Sequence, residues 1–211
     1  MPLYKSYKIA HDTQLLVWKI TESLEELSEG TVLKNVCEQR LLGMKSEQHR
    51  KGFMSVRKLL AEAGYSDLDL FYTEDGKPHL TDGKNISITH SYSFSAIIIS
   101  NRSIGIDMEI RREKVIRIAD KFVEKEFSYL EQNNTEDYVR RLIVIWGVKE
   151  ALYKMFSRQG LSFKQNIDVD FFKMDDLNGT ATVHFEEINC NLPFYFEEIE
   201  DFTLVYSIDN N

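Results

Sequence analysis

Residues 104–110, Ile-Gly-Ile-Asp-Met-Glu-Ile, alternate apolar and acidic positions strictly, which is the period of a β-strand. On such a strand Asp107 and Glu109 share one face, while the isoleucines and Met108 share the other. Two carboxylates then point into the same space. Hard cations such as Mg²⁺ are held by one or two carboxylates together with waters and substrate phosphates, so the pair suits a metal. The same D-x-E spacing is also that of an ordinary amphipathic strand with its acids in water.

Outward from this strand, residues 86–89, 96–100 and 103–110 are rich in β-branched side chains and separated by turn-prone Ser, Asn and Arg, which predicts successive strands. Leu15 to Ile20 reads as a further short strand. Residues 31–63 read as largely helical, with Leu41, Phe53, Val56, Leu59 and Leu60 near helical spacing and Gly64 as the stop. Asp75-Gly76, between Leu70-Phe71-Tyr72 and His79-Leu80, signals a hairpin. Residues 115–156 read as helical with a break at Asn133-Asn134, and 167–172, 180–185 and 202–208 return to strand character. The order is mixed α+β, loosely repeated in each half.

A chain of 211 residues with 43% hydrophobic and 28% charged residues buries a core as one domain or as two small, closely packed ones. A net charge of −8 argues against nucleic-acid binding. No apolar run reaches the ~20 residues of a membrane span, and the first residues lack a signal-peptide core, so no membrane association and a cytoplasmic location are expected. Two cysteines, Cys37 and Cys190, fit neither a disulfide framework nor a zinc site.

In Trp146-Gly-Val-Lys149-Glu150-Ala-Leu-Tyr153-Lys154, the residues Trp146, Glu150 and Lys154 fall four apart and line one side of a helix. Glu150 and Lys154 have the spacing of a common surface pair. Trp146 and Ile143, however, place large apolar groups beside them, and a covered carboxylate needs a partner such as a metal. Lys77 and Pro78 in Gly76-Lys77-Pro78 form a rigid turn from which a lysine can reach a phosphate, and the same three residues also read as an ordinary surface turn. Thr89-His90-Ser91 puts hydroxyl and imidazole donors at a strand end, where a lone histidine also reads as structural. Arg50 and Arg57, two helical turns apart, offer either a basic face to an anion or a solvated charged face.

Taken in order, G-K-P, I-T-H-S, G-I-D-M-E and W-G-V-K-E-A-L-Y-K resemble the motif series of the surfactin-type 4′-phosphopantetheinyl transferases, over residues 50–160. The resemblance implies an α+β fold of two similar halves, about 1–103 and 104–211, related by a pseudo-twofold axis. Each half is a small antiparallel sheet packed on a long helix, and coenzyme A lies in the cleft between them. It implies Mg²⁺, replaceable by Mn²⁺, on Asp107, Glu109 and Glu150, with Glu150 and Lys154 catalytic. Arg50, Arg57, Lys77, Pro78, Thr89 and His90 become coenzyme A contacts. Glu126, in Phe122-Val-Glu-Lys-Glu126, falls near the metal or carrier site by the same resemblance, and otherwise reads as a solvated helix acid. The implied reaction moves phosphopantetheine from coenzyme A to a serine of an acyl or peptidyl carrier protein, by a monomeric enzyme. Rival expectations are a metal-dependent phosphohydrolase and a non-catalytic coenzyme A or carrier-binding module.

Overall fold

The computed structural model describes residues 3–209, and the chain divides between Asn101 and Arg102 into two units. The first unit opens with β1 (Leu3–Ala10) and β2 (Thr13–Lys19), followed by α1 (Leu24–Ser28), α2 (Asn35–Gly43) and α3 (Glu47–Glu62). Then come β3 (Leu70–Tyr72), β4 (Pro78–Leu80), β5 (Asn85–Ser91) and β6 (Phe94–Ser100). The six strands form one antiparallel sheet in the order β1-β2-β6-β5-β4-β3.

The single helix expected over 31–63 is two. The Ser46 hydroxyl accepts the amide N–H of His49 and so starts α3 afresh after Gly43 closes α2. Gly64, at φ +83°, follows the end of α3 in the left-handed conformation that glycine adopts without strain. The inner side of α3, with Phe53, Val56 and Leu60, shares a core with Leu16, Trp18, Ile97 and Ile99 of the sheet.

The second unit begins with β7 (Ile104–Ile110), runs through 3₁₀ turns at Glu113–Lys121 and Lys125–Ser128, and enters α4 (Thr135–Phe156). It finishes with α5 (Phe163–Asn166), β8 (Ile167–Val169), β9 (Asn178–Phe185), β10 (Ile188–Ile199) and β11 (Phe202–Ile208). These five strands are again antiparallel, in the order β7-β11-β10-β9-β8. The expected break at Asn133-Asn134 is the start of α4: the Asn134 side chain accepts the N–H groups of Glu136 and Asp137. The helix expected before it is replaced by the two 3₁₀ segments.

The strands expected from the sequence leave 188–199 unassigned. Yet β10 is central, with Pro193 opposite Thr180 and its carbonyl taken by the Ser207 hydroxyl. Leu142, Ile145, Val148 and Leu152 of α4 share a core with Phe194, Phe196 and Val205 of this sheet. The architecture is α+β, with each unit an antiparallel sheet carrying a long helix.

Candidate active site

The two motifs of the second unit meet because two glycines allow close approach, Gly105 to the Ala151 backbone and Gly147 to the Val205 side chain. A β-carbon on Gly105 would stand 1.8 Å from the Ala151 carbonyl oxygen, and one on Gly147 would stand 2.6 Å from Val205 Cγ2. At position 105 no other residue fits without moving the Ala151 backbone, and at position 147 a side chain would have to displace Val205. Neither glycine was read as functional in the sequence. The available signal was a glycine inside a strand pattern and another inside a helix pattern.

This close seat brings the side chains of β7 and α4 together. Asp107 is 3% exposed. Lys154 donates to Asp107 Oδ1 at 2.7 Å and to the Ile106 carbonyl at 3.1 Å. Glu109 and Glu150 are half-buried on β7 and α4. Burial, then the Asp107 charge, push the Glu109 carboxyl up to about 7, with Glu150 adding to the push. A hydrogen bond from the Trp146 side chain and the Lys154 charge pull Glu109 the other way. Burial, then Asp107, also push the Glu150 carboxyl up, against the pull of Lys154. Asp107 and Glu150 therefore raise the energy of the Glu109 charge, and Asp107 that of the Glu150 charge, with one ammonium among them, and added positive charge relieves that repulsion.

The donor set is all oxygen, which is the chemistry of Mg²⁺ or Mn²⁺ and not of zinc. Among the described residues no three carboxylate, imidazole or thiol side chains are drawn into a ready-made metal cage. Lys154 already rests on Asp107. A Mg²⁺ site that draws on one or two carboxylates and fills its remaining positions with water and phosphate oxygen fits such a cluster.

The opposite edge of the Glu150 stripe is closed by aromatic rings. Trp146 packs edge-on against Phe122 and Phe163, at centroid distances of 4.9 and 5.7 Å. These rings cover the Trp146 end of the stripe, while Lys154 at its other end rests on β7. Glu126 is not a solvated acid: it lies fully buried, its Oε1 2.6 Å from Lys149 Nζ.

In the first unit, Thr89 is buried on β5, and His90 after it is exposed, its ring lying on Gly52 of α3. A β-carbon at Gly52 would come within 3.2 Å of His90 Cγ and Nδ1. Lys77 and Pro78 follow a turn closed by the Thr73 N–H on the Lys77 carbonyl, with Gly76 at φ +80°. Arg50 is half-buried, its Nε donating to the Met44 carbonyl at 2.7 Å.

Arg57 corrects the sequence expectation. It is 4% exposed, bonded to Asp67 Oδ1 through Nε and Nη2 at 3.0 and 2.9 Å, bonded to the Phe53 carbonyl, and stacked 3.4 Å over the Phe53 ring. Its charge is committed inside the unit. The sequence could not distinguish it from Arg50, because residues seven apart leave a helix in nearly the same direction and only the packing at each turn decides which is buried.

Residues 103–206 match the model of the 4′-phosphopantetheinyl transferase superfamily, a stretch that lies inside the second unit. The 4′-phosphopantetheinyl transferase gsp of Aneurinibacillus migulanus is 30% identical over 115 residues, covering 54% of this chain and 46% of that protein. The chain thus spans about half the length of that curated relative.

Proposed function

We propose that this chain, which belongs to the 4′-phosphopantetheinyl transferase superfamily, moves the phosphopantetheine arm of coenzyme A onto a serine of an apo carrier protein and releases 3′,5′-ADP. The observation that supports this most strongly is the convergence of Asp107, Glu109, Glu150 and Lys154 where β7 meets α4, with Glu109 and Glu150 each disfavoured as a bare anion.

Asp107, Glu109 and Glu150 are assigned as the residues that hold Mg²⁺, which when bound supplies charge neutralisation at the pyrophosphate. Glu150 takes the proton of the carrier serine, directly or through one water. Its raised affinity for protons brings it closer to the working range of a general base near neutral pH. The serine oxygen then bonds to the β-phosphorus while the phosphoanhydride bond breaks, and the leaving 3′,5′-ADP carries the electron pair away. Lys154, held by Asp107 and the Ile106 carbonyl, sets a positive charge where negative charge develops. Lys77, Pro78, Thr89, His90 and Arg50 are assigned to coenzyme A. Arg57 is left out of that set because its guanidinium serves Asp67.

Incubating the chain with coenzyme A, Mg²⁺ and a panel of apo carrier proteins, read by intact mass, tests the reading. A carrier heavier by one phosphopantetheine arm supports it. Free phosphopantetheine appearing without any carrier supports a phosphohydrolase instead.

A further inference from the structure

Lys149 immediately precedes Glu150, so on α4 the two side chains leave the axis about 100° apart and cannot serve the same face. Lys149 is turned inward. Its side chain is 0% exposed, its Nζ lies 2.6 Å from Glu126 Oε1, and it donates to the Phe163 carbonyl at 3.0 Å. Glu126, whose side chain is 1% exposed, also accepts the Val169 N–H on Oε1 at 3.0 Å and the Glu124 N–H on Oε2 at 3.1 Å. One ion pair therefore ties α4 to the 124–128 turn, to α5 and to β8.

A buried ion pair is a poor way to add stability, because desolvating both charges offsets most of their attraction and apolar groups of similar volume do as well or better. Unlike apolar packing, it is directional: Lys149 can reach both acceptors only at one rotation of the helix. We propose that Lys149 and Glu126 are a positioning pair that fixes the rotation of α4 and thereby the direction in which Glu150 points. The effect on rate rests on the transferase reading, whereas the effect on helix seating does not.

Lys149→Met combined with Glu126→Gln removes both charges together and keeps an acceptor for the Val169 N–H. The double variant is expected to melt near the parent. Its kcat for carrier modification should fall roughly tenfold to a hundredfold, as small misplacements of reacting groups do, with little change in KM for coenzyme A. A second readout does not depend on activity. The chain has two tryptophans, so in a Trp18→Phe background emission reports Trp146 alone, one turn from Glu150 and packed on Phe122 and Phe163. Its emission should shift in the double variant. Parental kcat and parental emission together would reduce the pair to a structural contact. Should the double variant not fold, Glu126→Asp keeps the charge but shortens the reach. A lowered kcat at parental KM then supports positioning, and an unchanged kcat overturns it. A parent that modifies no carrier refutes the transferase reading, and the Trp146 emission still decides the pair.

Discussion

The Gly105 backbone on β7 lies so close to Ala151 on α4 that a β-carbon at position 105 would stand 1.8 Å from the Ala151 carbonyl oxygen. That contact is what places Glu150, the residue before Ala151, beside Asp107 and Glu109. Gly105→Ala must therefore push the helix and strand apart. Backbone overpacking of this kind costs about 1–3 kcal/mol or more. The variant should melt well below the parent and lose transfer with it, as thermal denaturation and the mass assay would record. A parental melting point would mean that the approach is not as close in solution.

Lys154 and Asp107 form an ion pair that bridges β7 and α4. In Lys154→Ala, Asp107 and Glu150 repel each other without that ammonium. The transfer rate should fall about 10²-fold or more, the usual effect of removing one group that stabilises developing charge. The ion-free protein should melt lower, and Mg²⁺ should raise its melting point more than the parent's. Equal Mg²⁺ responses in the two proteins would show that Lys154 and the cation do not share this charge.

The Glu109 carboxyl, held at about 7 in the folded chain against 4.5 for the unfolded group, makes a definite prediction about pH. Between those values the folded state binds the proton more tightly than the unfolded one, so stability falls as pH rises from about 4.5 to 7 and stays reduced above. In chelator, Glu109→Gln should lose this component, and its melting point should therefore gain on the parent's from pH 5 to pH 8. A constant difference across that range would contradict the assignment.

Gly52→Ala separates binding from folding in the first unit. Alanine favours the helix interior by up to about 1 kcal/mol, while its β-carbon presses on the exposed His90 ring from 3.2 Å. Melting should be unchanged or slightly raised. If His90 touches coenzyme A, KM for coenzyme A should rise by up to about tenfold with kcat preserved, since displacing a charge-bearing hydrogen bond acts on ground and transition states alike. Isothermal titration with coenzyme A checks the same point without turnover.

Much of this was legible in the sequence, and the reasons differ by element. Strict alternation over 104–110 placed Asp107 and Glu109 on one face, and four-residue spacing put Trp146, Glu150 and Lys154 on one stripe, because both follow from backbone period alone. What the period could not show was long-range: that Gly105 and Gly147 clear the way for α4, that Arg57 turns inward to Asp67, and that Glu126 meets Lys149. The central strand β10, unassigned from the sequence, carries Pro193, whose missing N–H argues against an interior strand until its neighbours are known. β1, whose exposure alternates along its length, lies at the sheet edge beside β2 and carries three lysine and serine side chains among its apolar ones.

The most direct measurement is the rate of holo-carrier formation by the parent and by Glu150→Gln, side by side with coenzyme A and Mg²⁺, with 3′,5′-ADP release followed in the same samples. The substitution keeps size and helix propensity and removes only the charge. The parent should convert the carrier with one 3′,5′-ADP per arm transferred. The variant should fold, still bind coenzyme A by calorimetry, and run slower by at least roughly 10²-fold, the lower end of general-base catalysis. A variant as fast as its parent, or a parent that leaves every carrier unmodified, would contradict the account.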